Sequence, residues 1–195
     1  MIFLPDTALL LFVFFGLFSP GPNVILLTAS GARFGLGPTM PHILGVAIGV
    51  GITAGITGLG IGALLDALPA LKLGLQIIAS VWIIYMAWNL WNANPATQKA
   101  TDKPFTFVEA VLFQWVNPKV WAVAFSASTF VADLSIPTQM AHLAIAFSGI
   151  NLGVCFFWTS AGHLLSYLLQ NETAWRTFMR IMAFALGVFA IMVFL

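Results

Sequence analysis

Two short stretches carry unusual backbone chemistry: Ser19-Pro20-Gly21-Pro22-Asn23 and Asn117-Pro118-Lys119. Both interrupt long apolar runs. Proline donates no hydrogen bond and frees the carbonyl four residues earlier. Pro20, Pro22 and Pro118 would therefore free the carbonyls of Gly16, Phe18 and Gln114. A half-helix starting after each break would leave amides unpaired near Asn23 to Ile25 and near Val120 to Ala122. Such N-termini carry partial positive charge and favour a carboxylate, while freed carbonyls favour an ammonium. The two features together suit an amino-acid zwitterion. In this reading Ser19, Pro20, Gly21, Pro22, Asn23, Gln114, Asn117, Pro118 and Lys119 are the substrate-binding candidates.

Lys119 lies deep in an apolar span, where a charge is costly and is by default a functional candidate. It would face an anion or act in gating; pairing with Glu109 or Asp133, or snorkelling, is the bland alternative. Ser19, Asn23, Gln114 and Asn117 are as able to satisfy local backbone as to touch substrate. Trp115, Trp121 and Trp158 would pack at mid-span depth or line a pathway, where an indole face can meet an ammonium. His42 and His163 are proton-coupling candidates, with interfacial placement as the alternative; His142 is expected at an interface. The histidines lack metal-site spacing, and neither metal nor cofactor is expected. Cys155, the only cysteine, is expected to be a small buried residue.

The elements that must position these residues are membrane spans. The chain has 195 residues, 61% of them hydrophobic and 7% charged, with a mean hydropathy of +1.01. That leaves too few charges to cover a soluble surface. A net charge of +1 gives no sign of nucleic acid. Asp6, with no Lys or Arg before the first apolar run, argues against a cleavable signal, so the first span is expected to stay. Six spans are expected, at about 7–30, 40–65, 71–91, 106–131, 140–168 and 174–195. The polar stretch 92–104, NANPATQKATDKP, divides them. Asp66 and Asp133 look like solvated span ends, and Thr106 with Glu109 has capping-box spacing at the start of the fourth span.

Arg33, Lys99, Lys103, Arg176 and Arg180 fall on one side and Lys72 on the other. The positive-inside rule makes the first side cytoplasmic and both termini periplasmic. Trp88, Trp91 and Trp175 would sit near the cytoplasmic interface. The first break lies roughly 18 Å into span one and the second roughly 16 Å into span four, so both are near the bilayer middle. The fold class expected is an all-α integral membrane protein, a single transporter domain over 1–195. It comprises six transmembrane helices as two inverted three-helix repeats, about 1–91 and 106–195 around a loop of about 92–105. Helices 1 and 4 are broken, the arrangement that marks a secondary transporter's site. Span two carries Gly45-x3-Gly49, Gly51-x3-Gly55 and Gly58-x3-Gly62, a spacing that lets helix backbones pack closely or slide. Asn171-Glu172-Thr173 fits a glycosylation sequon, but on the predicted cytoplasmic side it carries no meaning.

Ser19 to Asn23, Arg33-x-Gly35, the glycines of span two, Asn117-Pro118-Lys119 and Ala161-Gly162-His163 together resemble the LysE/RhtB family of bacterial amino-acid exporters. The resemblance covers essentially the whole chain, with the Pro-Gly-Pro segment its most specific part. It implies efflux of amino acids or close derivatives across the inner membrane, driven by the proton motive force. Phe125 to Val131 and Trp158 to His163 look most like the cysteine/O-acetylserine branch; the homoserine/threonine and basic amino-acid branches stay open. The expected partners are a small amino-acid substrate and lipid, not nucleic acid, and a homo-oligomer is open. A single cysteine excludes a thiol-relay carrier. No zinc motif, nucleophile elbow or phosphate loop suggests an enzyme or an ATP-driven pump. A channel or uniporter of the same fold is the remaining alternative.

Overall fold

A computed structural model describes residues 6–59, 68–93, 103–168 and 171–192. Gly62, Asp66, Lys99 and the central loop over 94–102 lie outside the described residues, as does the Lys72 side chain. Eight α-helices are described: α1 (Thr7–Phe18), α2 (Pro22–Phe34), α3 (Leu36–Thr57), α4 (Pro69–Trp91), α5 (Phe107–Val116), α6 (Pro118–Ser128), α7 (Ile136–Leu168) and α8 (Glu172–Met192). A short 3-10 turn, Thr129–Val131, follows α6. No strand occurs among the described residues.

Local chemistry sets the helix starts. Pro22, Pro69 and Pro118 each open a helix, where the missing N–H is no loss. At α5 the expected capping box is formed. Thr106 Oγ1 accepts from the Glu109 amide at 3.2 Å, and Glu109 Oε2 accepts from the Thr106 amide at 2.7 Å. Asn171, the sequon residue, accepts from the Thr173 amide at 2.8 Å at the start of α8. Gly35, with φ of 82°, links α2 to α3 through a conformation that suits only glycine, so the two helices turn back on each other within one residue.

Helices α3, α7 and α8 are long and apolar enough to cross a membrane, and α1 with α2 makes a fourth span bent by 59°. The apolar part of α4, Gln76–Trp91, and α5 are shorter. The expected six spans thus depend on α4 and on α5 with α6 crossing as well. Helix α7, with 33 residues and a length of about 50 Å, is the scaffold and packs on α1, α2 and α3. Two apolar cores result. One joins α1, α3, α6 and α7 through Val13, Val50, Ala124 and Phe147. The other joins α2, α4 and α8 through Leu26, Ile83 and Met179, with Phe113 of α5. Helix α2 is the wall between them, giving Leu27 to the first and Ile25 and Leu26 to the second. Phe15, Trp88, Phe184 and Ile191 point outward, as suits a lipid-facing surface.

Small residues let the helices approach. A Cβ added at Gly45 would run into the Phe107 carbonyl, and one at Gly49 would stand 2.8 Å from Gln114 Cγ, both on α5. Gly51 and Gly55 face Ala144 of α7 instead. The glycines of α3 therefore seat two partners on two faces. A tighter crossing joins α2 to α7, where a Cβ at Gly31 would strike the Thr159 carbonyl and one at Gly162 the Thr28 carbonyl. Gly149 and Gly153 of α7 have open space. Gly31→Val or Gly162→Val should therefore destabilise the folded protein by roughly 1–3 kcal/mol through overpacking. Gly153→Ala should be near neutral, and a thermal unfolding series in detergent checks the contrast.

Candidate functional site

The first break runs from Ser19 to Gly21 and the second is centred on Asn117. Each freed carbonyl finds a donor. Ser19 Oγ donates to the Gly16 carbonyl at 3.0 Å, the Trp158 indole to Phe18 at 3.3 Å, and the Asn117 amide to Gln114 at 3.3 Å. Lys119 crosses from the second break to the first. Its Nζ donates to the Ser19 carbonyl, to Ser19 Oγ at 2.9 Å and to the Pro20 carbonyl at 3.2 Å. An ammonium has three protons, and three acceptors use them all. Gly21 makes this crossing feasible. Its backbone is extended, so space rather than conformation demands glycine: a Cβ there would lie 2.6 Å from Lys119 Cδ. Lys119 is neither paired with Glu109, which serves the cap, nor snorkelled away.

The amides differ between the breaks. Asn23 and Val24, in the first turn of α2, meet no acceptor for their amides among the described residues. Ile25, expected to be free, donates to the Gly21 carbonyl at 2.9 Å. The second half-helix contradicts the expectation of free amides at Val120 to Ala122. Val120 and Trp121 donate to the Asn117 carbonyl at 3.1 and 3.5 Å, and the Lys119 amide donates to Asn117 Oδ1 at 3.2 Å. The cause is an asparagine at the N-cap, which supplies both a side-chain and a backbone acceptor. From Ala122 onward the helix supplies its own acceptors. The free anion-favouring donors thus belong to the first break alone.

Asn23 and Gln114 tie the breaks together. The Asn23 side-chain amide donates to Gln114 Oε1 at 2.8 Å, and Gln114 Nε2 donates back at 3.2 Å and to the Ala110 carbonyl at 2.8 Å. Gln114 and Asn117 are both buried. Between these groups lies a void of about 10 Å³, room for about one water. Gly21, Asn23, Asn117, Lys119, Asn151 and Trp158 line it. At that volume it is too small for an amino acid. Asn151 was not among the sequence candidates. It is 3% exposed and its amide nitrogen has no partner. A lone carboxamide in the apolar run of span five was the signal for it. Cys155, also on this void, is a buried free thiol.

The other candidates lie elsewhere. His42 is buried on α3, with both ring nitrogens unpartnered and its ring 5.1 Å from that of Phe105. The turn at Gly35 explains this, because it folds the start of α3 back against α2. His163 is half-buried, with Nε2 3.4 Å from the Tyr167 hydroxyl and its ring beside Gly35. His142 is buried, with Nδ1 2.8 Å from the Thr138 carbonyl. Trp121 donates to the Trp115 carbonyl at 2.9 Å, and of the three mid-span indoles Trp158 lines the void. A double-mutant cycle of Asn23→Ala and Gln114→Ala should show a coupling of about 0.5–3 kcal/mol in unfolding stability. A coupling near zero would mean that the amide pair is not formed in the folded protein.

Comparisons with known proteins place the chain in a family. The chain matches the family model described as LysE type translocator over residues 14–195. It is 28% identical to a cysteine/O-acetylserine efflux protein of Klebsiella pneumoniae, covering 77% of this chain and 78% of that one. It is 26% identical to a cysteine/O-acetylserine efflux protein of Salmonella paratyphi A, covering 78% and 80%. It is also 30% identical to an uncharacterized membrane protein of Pseudomonas aeruginosa, over 61% and 59%. No solved structure matches the chain. With a match that spans both breaks and nearly the full length, the chain belongs to the LysE type translocator family.

Proposed function

We propose that this protein exports small neutral amino acids or close derivatives, of the cysteine and O-acetylserine kind, across the bacterial inner membrane. It works by alternating access coupled to protons. Helix α4 and the α5–α6 pair cross the bilayer with the other spans, giving six in two inverted repeats with both termini periplasmic. The observation that carries this reading is the Lys119 ammonium seated on the Ser19 and Pro20 carbonyls, one turn from the free Asn23 and Val24 amides. A backbone site that holds an ammonium and adjoins free amide donors has the two halves needed for a zwitterion.

In this mechanism Lys119 stands in for the substrate's ammonium when the site is empty. An entering amino acid places its carboxylate at the Asn23 and Val24 amides. Its ammonium takes over the break carbonyls, and Lys119, displaced, turns its charge to the carboxylate. Breaking the Lys119 crossing frees one half of the chain to rock against the other, with the glycine faces of α3 as the sliding surfaces. Asn151, unpartnered beside the void, adds a donor for the substrate. His42 and His163 are the proton-carrying candidates. No acidic side chain lines the void, which disfavours a substrate with a second cation.

Reconstituted protein should accumulate O-acetylserine or cysteine in a gradient-dependent way, and lysine or arginine weakly. Preference for homoserine and threonine would move it to that branch. Preference for lysine would overturn the substrate assignment, and movement independent of a proton gradient would indicate a channel or uniporter. Lys119→Met should lower transport by at least about tenfold, equivalent to ~1.4 kcal/mol, while the protein still inserts. Pro20→Ala with Pro22→Ala should abolish transport by restoring a continuous first helix. Full activity in that double variant would remove the broken helix from the mechanism.

A further inference from the structure

Amino acids share an ammonium and a carboxylate, so break carbonyls and amides cannot tell one from another. Selection must come from other groups around the void. Outside the breaks and their helices, every residue that lines it lies on α7: Asn151, Val154, Cys155 and Trp158. Offsets of three, four and seven residues from Asn151 put all four on one face of the helix. One end of this face is fixed to the first break. The Trp158 indole donates to the Phe18 carbonyl at 3.3 Å. One turn further on, Gly162 lets α7 close on the Thr28 carbonyl of α2, where a side chain would not fit. Asn151 lies two turns before Trp158, about 10 Å along the axis.

The polar side chains around the void are unequal. Asn23 pairs with Gln114, Asn117 Oδ1 caps α6, and Lys119 crosses to the first break. Asn151 is 3% exposed, yet its Nδ2 has no partner among the described residues. Buried donors are nearly always bonded, so one left open at a void points to an occupant with an acceptor. Its neighbours on the face are Val154 and the free thiol of Cys155, both buried. Neither a carboxylate nor a cation stands on the α7 face.

The face thus offers one neutral donor in a small apolar surround. An ionised side chain would lose its water there and gain no counter-charge from α7. An aliphatic one would leave the Asn151 donor unpaired. A short neutral side chain with an acceptor oxygen avoids both costs. The donor is also well held, because α7 is an unbroken helix of 33 residues and helices hold a side chain more precisely than loops.

We infer that this face of α7 is the side-chain subsite of the transporter, with Asn151 Nδ2 the donor that determines specificity. It reads an acceptor on the substrate side chain, such as the ester carbonyl of O-acetylserine or the hydroxyl of homoserine. The breaks bind what amino acids share, and α7 binds what distinguishes them. The inference rests on the proposed break site for holding the ammonium and carboxylate. The selection of side chains rests on Asn151.

Binding can be read apart from transport, as thermal stabilisation of the purified full chain in detergent over a ligand titration. Norleucine matches the side-chain length of O-acetylserine without its oxygens, and norvaline does the same for homoserine. Alanine carries only the shared groups. In at least one matched pair the wild type should bind the acceptor-bearing member about tenfold more tightly, the scale of one net hydrogen bond. Asn151→Leu should bring that ratio to about one and lower the affinity for the same ligand about tenfold relative to alanine. Asn151→Ala makes the same test should the leucine variant not fold. Ratios near one in the wild type, or no stabilisation by any of the five, would overturn the subsite. So would ratios that the variants leave unmoved, as for an amide satisfied by water alone. An equal loss of all five ligands would also overturn it, since Asn151 would then support the breaks and not read side chains. Selective binding by a protein that moves no amino acid in proteoliposomes would keep the subsite and sink the export reading. Gradient-driven transport of both members of each pair alike would do the reverse.

Discussion

Backbone that leaves its helix inside an apolar layer must find partners within the protein, because lipid offers none. Each unpaired buried polar group costs several kcal/mol, of the same order as the stability of a whole domain. The first break is satisfied from the far half of the chain, by the Lys119 ammonium and the Trp158 indole. The Asn23 and Gln114 pair adds a direct tie between the breaks. The two broken helices are therefore one structural unit. Neither could relax without stranding polar groups of the other.

This dependence explains the surrounding packing. Gly21 is glycine because the Lys119 side chain passes where its Cβ would be. Helix α2 must sit deep between two apolar cores for its first turn to reach α5 and α6, and Gly31 and Gly162 permit that depth against α7. The void at the breaks is small because the protein's own groups occupy it. In the proposed mechanism, substrate binding exchanges these internal bonds for bonds to the amino acid. The energetic difference between empty and loaded states can then stay small.

What the sequence disclosed was mostly local. The prolines announced the breaks, Thr106 and Glu109 the start of α5, and apolar run lengths the long helices, since each depends on residues within a turn or two. The freed carbonyls of Gly16, Phe18 and Gln114 also followed from proline geometry alone. Their partners did not, because Lys119 and Ser19 are 100 positions apart and nothing local joins them. Asn117 was ambiguous for another reason: the same side chain can cap its helix or face a ligand, and here it caps. The burial of His42 was not legible because its position in the linear span hides the turn at Gly35. Asn151 went unnoticed as the one carboxamide of an apolar run whose other polar residues are Ser, Thr, His and Tyr.

The central claim is that the Lys119 ammonium occupies the place of the substrate's own. Nitrogen NMR of lysine side chains tests it directly, since the chain has four lysines and Lys119→Arg assigns the signal. Saturation with the amino acid that the wild type transports should shift the Lys119 resonance. A Lys119 signal that stays in place while substrate is bound at saturation would contradict the account.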